Sequence, residues 1–167
     1  MKPVKILGSI GAVALLSAAS CGPVNPDDKC LTFNQFTHRQ KFPTNPYMLG
    51  EWQLRAIPDR QIEMYDPSTD HGPASMIGPL LKGEIIFTPT PGSPTFSSVK
   101  ITYLSYNPLP SRVRLLDLGS TQIEERLLQS APENTALESF FSPSQRVAHI
   151  VVENASGEAQ IAKICVR

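Results

Sequence analysis

The apolar residues of this chain come in short alternating runs, and prolines stand between the runs. Proline makes up 16 of the 167 residues, about twice its usual share. Proline lacks the amide hydrogen a helix interior needs and clashes with the preceding turn, so this spacing argues against long helices. Alternation with period two puts one set of side chains on each face of a strand. Residues 51 to 57 place Trp52, Leu54 and Ala56 on one side, and 60 to 65 do the same with Ile62 and Met64. Further runs fill 83 to 90, 97 to 106 and 112 to 118. In these, Val99, Ile101 and Tyr103 oppose Lys100, Thr102 and Leu104, and Val113 and Leu115 oppose Arg112 and Arg114. The runs at 147 to 153 and 158 to 166 flank Asn154-Ala155-Ser156-Gly157. That turn chemistry predicts a hairpin.

Two stretches carry helical signals. In 121 to 130, Ile123, Leu127 and Leu128 sit at helical intervals, although Ile123, Glu125 and Leu127 also fit a strand. In 132 to 141, Asn134 or Thr135 can cap one or two turns. Residues 31 to 49 are mixed, with the two-proline stretch 41 to 47 read as irregular, and 66 to 78 reads as a long surface loop. The expected fold is therefore mainly β: a small antiparallel β-sandwich or barrel with one or two short helical segments.

The N-terminus sets the address. Lys2 and Lys5 precede an uncharged, mostly apolar stretch from Ile6 to Leu16. A helix of that length is about 16 Å long, too short for a bilayer core of about 30 Å. Charge, short apolar run and small residues together read as a secretory signal peptide. Ala18-Ala19-Ser20-Cys21 resembles the lipobox of bacterial lipoproteins, with Ala18 where leucine is usual. The resemblance implies cleavage before Cys21 and acylation of that cysteine, with more than one chain for firm anchoring. An ordinary signal peptide cut near Ala18 or Ser20 would leave Cys21 a plain thiol. Residues 1 to 20 are then the leader, 21 to 30 a proline-containing tether, and 31 to 167 one domain. Gly22 after the cysteine points to the outer membrane, with the domain facing the periplasm.

Of the 3 cysteines, a lipidated Cys21 leaves Cys30 and Cys165 as an even pair in an oxidising compartment. Their bridge would join the two ends of the domain; the alternative is two free thiols. The whole chain has 15 basic and 15 acidic residues, and loss of Lys2 and Lys5 leaves the mature chain slightly acidic. Nucleic acid binding has no electrostatic support in such a chain.

Gly50-Glu51-Trp52 is similar to the G-x-W that opens the first strand of many lipocalins, and to openings of META-type domains and lipocalin-like protease inhibitors. The resemblance implies that Trp52 closes a barrel base beneath Gly50. The plainer alternative is a tryptophan buried in an ordinary core. His38, His71 and His149 are not at ligand spacing. His71 with Asp70 and Asp66 could bind a metal or share a proton, but a solvated loop cluster is the commoner outcome. His149 alternates with Val147 and Val151 and reads as packed or rim-facing. Glu124 and Glu125 are adjacent, so on a strand they face opposite ways. Asn154-Ala155-Ser156 fits a glycosylation sequon but reads as a turn. No nucleophile elbow, zinc-protease helix, phosphate loop or dinucleotide turn is present.

These features lead to a lipid-anchored, non-catalytic binding or scaffolding module of the bacterial envelope, without cofactor or metal. Its partner would be an envelope protein. A lipocalin-like carrier of a small apolar ligand is the alternative, and an enzyme inhibitor a weaker one.

Overall fold

The computed structural model describes residues 28–66, 77–89, 95–105, 111–130, 135–154 and 159–167. The strands are β1 (Lys29–Thr32), β2 (Tyr47–Leu49), β3 (Trp52–Ile57), β4 (Met64–Tyr65), β5 (Gly78–Pro79) and β6 (Gly83–Pro89). They continue with β7 (Val99–Ser105), β8 (Ser111–Leu116), β9 (Gln122–Leu128), β10 (Leu137–Phe141), β11 (His149–Asn154) and β12 (Ala159–Val166). One sheet has the order β1-β12-β7-β10, and a larger one β2-β3-β6-β11-β8-β9. The pairings are antiparallel. A small β4-β5 pair forms a third ladder, with β5 packed on β12 of the smaller sheet. Among the described residues each large sheet ends in strands with a neighbour on one side only, so neither closes into the barrel that the G-x-W resemblance implied.

The alternation read from the sequence sets the inner faces. Leu54, Phe87, Ile150 and Leu115 form one cross-strand row of the larger sheet, all fully buried. Leu31, Ile164 and Ile101 form the matching row of the smaller sheet. Phe33, Phe42, Phe141 and Trp52 complete the same core. Leu104 was expected on the outer face and is fully buried too. Its cross-strand partner Gln160 bridges to Leu80, so the chain around β5 covers that part of the smaller sheet.

Three local expectations are corrected. Residues 137 to 141 form β10, not a helix, and 122 to 128 take the strand alternative as β9. No helix occurs among the described residues. Leu137, Ser139 and Phe141 lie across from Tyr103, Ile101 and Val99, and this pairing outweighs one turn of capping signal. The expected β11–β12 hairpin does not form either. β11 lies between β6 and β8 in one sheet, and β12 between β1 and β7 in the other. Asn154 is the last residue of β11 rather than a turn residue; it is buried, and its Nδ2 donates to Ser111 Oγ at 2.8 Å. Finally, 41 to 47 is not wholly irregular, since Lys41 bridges to Glu63 and Tyr47 opens β2.

Next to β2, a side chain stands in for a strand. The β2–β3 register pairs Tyr47 with Leu54 and places position 45 opposite Ala56. There the Asn45 side chain takes over the ladder. Its Oδ1 accepts from the Ala56 amide at 2.9 Å and its Nδ2 donates to the Ala56 carbonyl at 3.0 Å. Asn45→Ala leaves both backbone groups of half-sheltered β3 without a partner. The expected loss is about 2 kcal/mol, read as a lower urea midpoint at unchanged slope.

Candidate functional site

The two ends of the domain meet at one edge of the smaller sheet. Cys30 lies directly across from Cys165 in the β1–β12 register, and the two are joined by a disulfide with a sequence separation of 135 residues. Asp28 and Arg167 add an ion pair at 2.9 Å beside it. The expected pairing of Cys30 with Cys165 is thus present, and β1 takes in both Lys29 and Cys30.

Beside β1 lies a groove of about 460 Å³. Cys30, Leu31 and Thr32 form one wall; Leu49, Gly50 and Trp52 form the other. Gly50 has φ +56° and occupies the first central position of the two-residue turn between Leu49 and Trp52. That backbone conformation is why glycine stands there, since a Cβ would meet nothing within 4 Å. Trp52 is 6% exposed, and its ring lies 6.5 Å from that of Phe96. It is a core tryptophan at the end of a sandwich. Lys29 and Glu51 form an ion pair at 3.3 Å between β1 and the turn.

The opposite side of the sandwich is built differently. Arg126 on edge strand β9 shares the inward face with Val113. Its guanidinium lies 4.4 Å from the Phe141 ring centroid, donates to the Phe140 carbonyl at 2.8 Å and pairs with Glu124 at 2.7 Å. One side chain therefore ties the free edges of the two sheets together. Glu125 faces the other way and pairs with Arg112 at 3.7 Å, which is the divergence expected for adjacent carboxylates. A further hollow of about 300 Å³ lies beside Asn45, Arg55 and Asp59.

The titratable groups with shifted pKa lie on separate elements. Burial raises Tyr103, and its hydrogen bonds with Ser139 and the Gln129 backbone partly offset this. Burial lowers the guanidinium of Arg60. His149 lies half-buried, with Nδ1 2.9 Å from Thr88 Oγ1. Burial lowers its pKa from 6.5, partly opposed by Asp117. A histidine held below its unfolded value resists protonation in the folded state. Its effect on stability is absent above the unfolded pKa and becomes a loss as pH falls from there towards the folded pKa. Denaturation of wild type and His149→Gln between pH 7.5 and 5 is expected to show a shallower acid-side decline in the variant.

Other residues singled out by sequence fall elsewhere. His38 accepts from the Asp66 amide at 3.1 Å through Nδ1, and its ring packs tilted against that of Tyr65 at 5.2 Å between centroids. Asp70 and His71 lie outside the described residues, as do the leader, Cys21 and most of the tether. Among the described residues no group of three or more His, Cys, Asp or Glu side chains could hold a metal ion. Asn45 and Arg126 were missed, because a side chain that replaces a strand or joins two sheets has no local pattern.

Fold and groove together define a two-sheet antiparallel β-domain whose ends are fastened at one edge. No family model matches the chain, and no curated protein matches it. Among solved structures it is similar to the K2 cleaved adhesin domain of Lys-gingipain, at 12% identity over 83% of this chain and 95% of that one. The TM-score is 0.37, a likeness too distant to carry an argument about function.

Proposed function

We propose that this protein is a non-catalytic binding module of the bacterial cell envelope, held at the membrane by lipid on Cys21. The leader with its lipobox-like Ala18-Ala19-Ser20-Cys21 supports the address. The observation that carries the reading is the join at β1. Cys30, nine positions after Cys21, is bonded to Cys165 in an internal strand of its sheet. A lipid at Cys21 would therefore hold the domain through a point fixed covalently to its framework. The core between the sheets is filled by aromatic and branched side chains, which suits a module that binds through its surface. The test is affinity capture with the lipidated protein from detergent-solubilised membranes. One envelope protein recovered in stoichiometric amount is the expected result. Recovery of the bait alone would overturn the binding role.

A further inference from the structure

The geometry points to the free edge of β1 as an acceptor for an extended strand from a partner protein; this rests on the binding reading above and names its site. The register decides which backbone groups face the groove. Ser98 and Arg167 exchange backbone hydrogen bonds at 3.2 Å each way. Hydrogen-bonded and non-bonded pairs alternate along an antiparallel ladder. Two steps on, Lys100 and Cys165 are again a bonded pair, so the backbone of Cys165 is directed at β7. Cys30 and Cys165 are then a non-bonded pair, in keeping with their Cα separation of 4.0 Å. The N–H and C=O of Cys30 consequently point away from β12, and by the same alternation so do those of Thr32. They face the groove, and no backbone partner for them occurs among the described residues.

The other free edges carry devices against pairing. On β10, Arg126 takes the outward Phe140 carbonyl. On β9, Glu124, Glu125 and Arg126 put charge on the edge, and the register shifts between Leu115 and Leu116 of its partner β8. β2 is three residues long and follows Pro46. β1 instead has two outward donor–acceptor sets beside half-buried Leu49 and the Gly50 turn, the arrangement by which sheets accept added strands. Its charge is the exposed Lys29–Glu51 ion pair, a surface pair of small worth that an incoming strand can displace.

The chemistry of the occupant follows. A strand opposite Leu31 would turn alternate side chains towards half-buried Leu49 and the core edge behind it, so these should be apolar and their neighbours polar. The chain's own tether is a poor occupant, since Pro23 and Pro26 offer no amide hydrogen. With lipid on Cys21, the chain to Lys29 reaches at most about 27 Å, which keeps this edge near the membrane. An extended, alternately apolar segment of another envelope protein fits that position.

The probe is a phage-displayed library of ten-residue peptides, panned against the purified full mature chain. Thr32→Pro removes an outward donor while leaving the β1–β12 ladder bonds in place. Selected peptides are expected to alternate apolar and polar residues and to bind T32P at least tenfold more weakly. N-methylation along the peptide should weaken binding at every second amide, a readout on unaltered protein that stands even if T32P misfolds. Equal binding to T32P when it is folded, N-methyl effects without period two, or no enrichment would each overturn the proposal. A wild-type dimer in light scattering that T32P dissolves would assign the edge to a second copy and overturn it as well. Panning needs no membrane, so its failure is distinct from failure of the anchoring reading, which the mass of the mature N-terminus decides.

Discussion

Replacing Cys30 and Cys165 together by serine is expected to lower stability by about 5 kcal/mol, the chain-entropy value for so long a loop. Domains of this size are stable by only about 5–15 kcal/mol, so the variant should be largely or marginally unfolded at growth temperature. The location of the bond adds a local consequence. β1 is an edge strand of four residues, and Leu31 is its one inward side chain in the core. Without the bridge it is held by four register pairs and the exposed Asp28–Arg167 and Lys29–Glu51 ion pairs. Its release would uncover the second edge of β12. Urea titration of oxidised wild type against the double variant gives the global cost. Hydrogen exchange at Leu31, Ile164 and Val166 shows whether β1 detaches first. A loss under about 1 kcal/mol, well below the loop-closure value, would show that the bridge contributes little to holding the ends together.

Gly78→Ala is expected to cost about 3 kcal/mol, the upper end of overpacking penalties. A Cβ on Gly78 would lie 1.9 Å from the Ile161 carbonyl oxygen and 2.7 Å from its carbon. Both are backbone atoms of β12, so no side-chain rotation relieves the clash. Gly78 sits where β5 packs on β12, beside the register shift between Ile161 and Lys163. To admit the methyl group, the 77–81 segment must lift away. The Leu81 amide would then lose its 2.9 Å bond to Ala159, and the cover over Leu104 and Gln160 would open. The measurement is the urea midpoint, together with exchange at the Leu81 amide. An unchanged midpoint would mean that β5 does not seat on β12 as described.

Much of the sandwich was legible because burial on one face leaves a period-two trace. Trp52, Leu54 and Ala56 alternate in sequence and are all buried, as are Val99, Ile101 and Tyr103. The Cys30–Cys165 pairing was legible from parity. What failed was information carried by distant partners. Asn-Ala-Ser-Gly signals that the chain turns, but not that β12 continues in the other sheet. Ile150, Val151 and Val152 are buried in succession and give no alternation. Residues 132 to 141 had a capping signal and no visible reason to pair with β7. Gly78 looked like a loop glycine because the carbonyl it approaches is far along the chain. The groove beside β1 had no trace in the sequence because its walls, residues 30 to 32 and 49 to 52, meet only when the two sheets pack.

The claim on which the functional reading depends is that the domain hangs from a lipidated Cys21. Intact mass and N-terminal peptide mass of the protein from its native membrane test it directly. The expected result is a chain beginning at Cys21 that carries diacylglycerol and an amide-linked acyl group. A chain that retains residues 1 to 20, or one whose Cys21 bears no lipid, would contradict it.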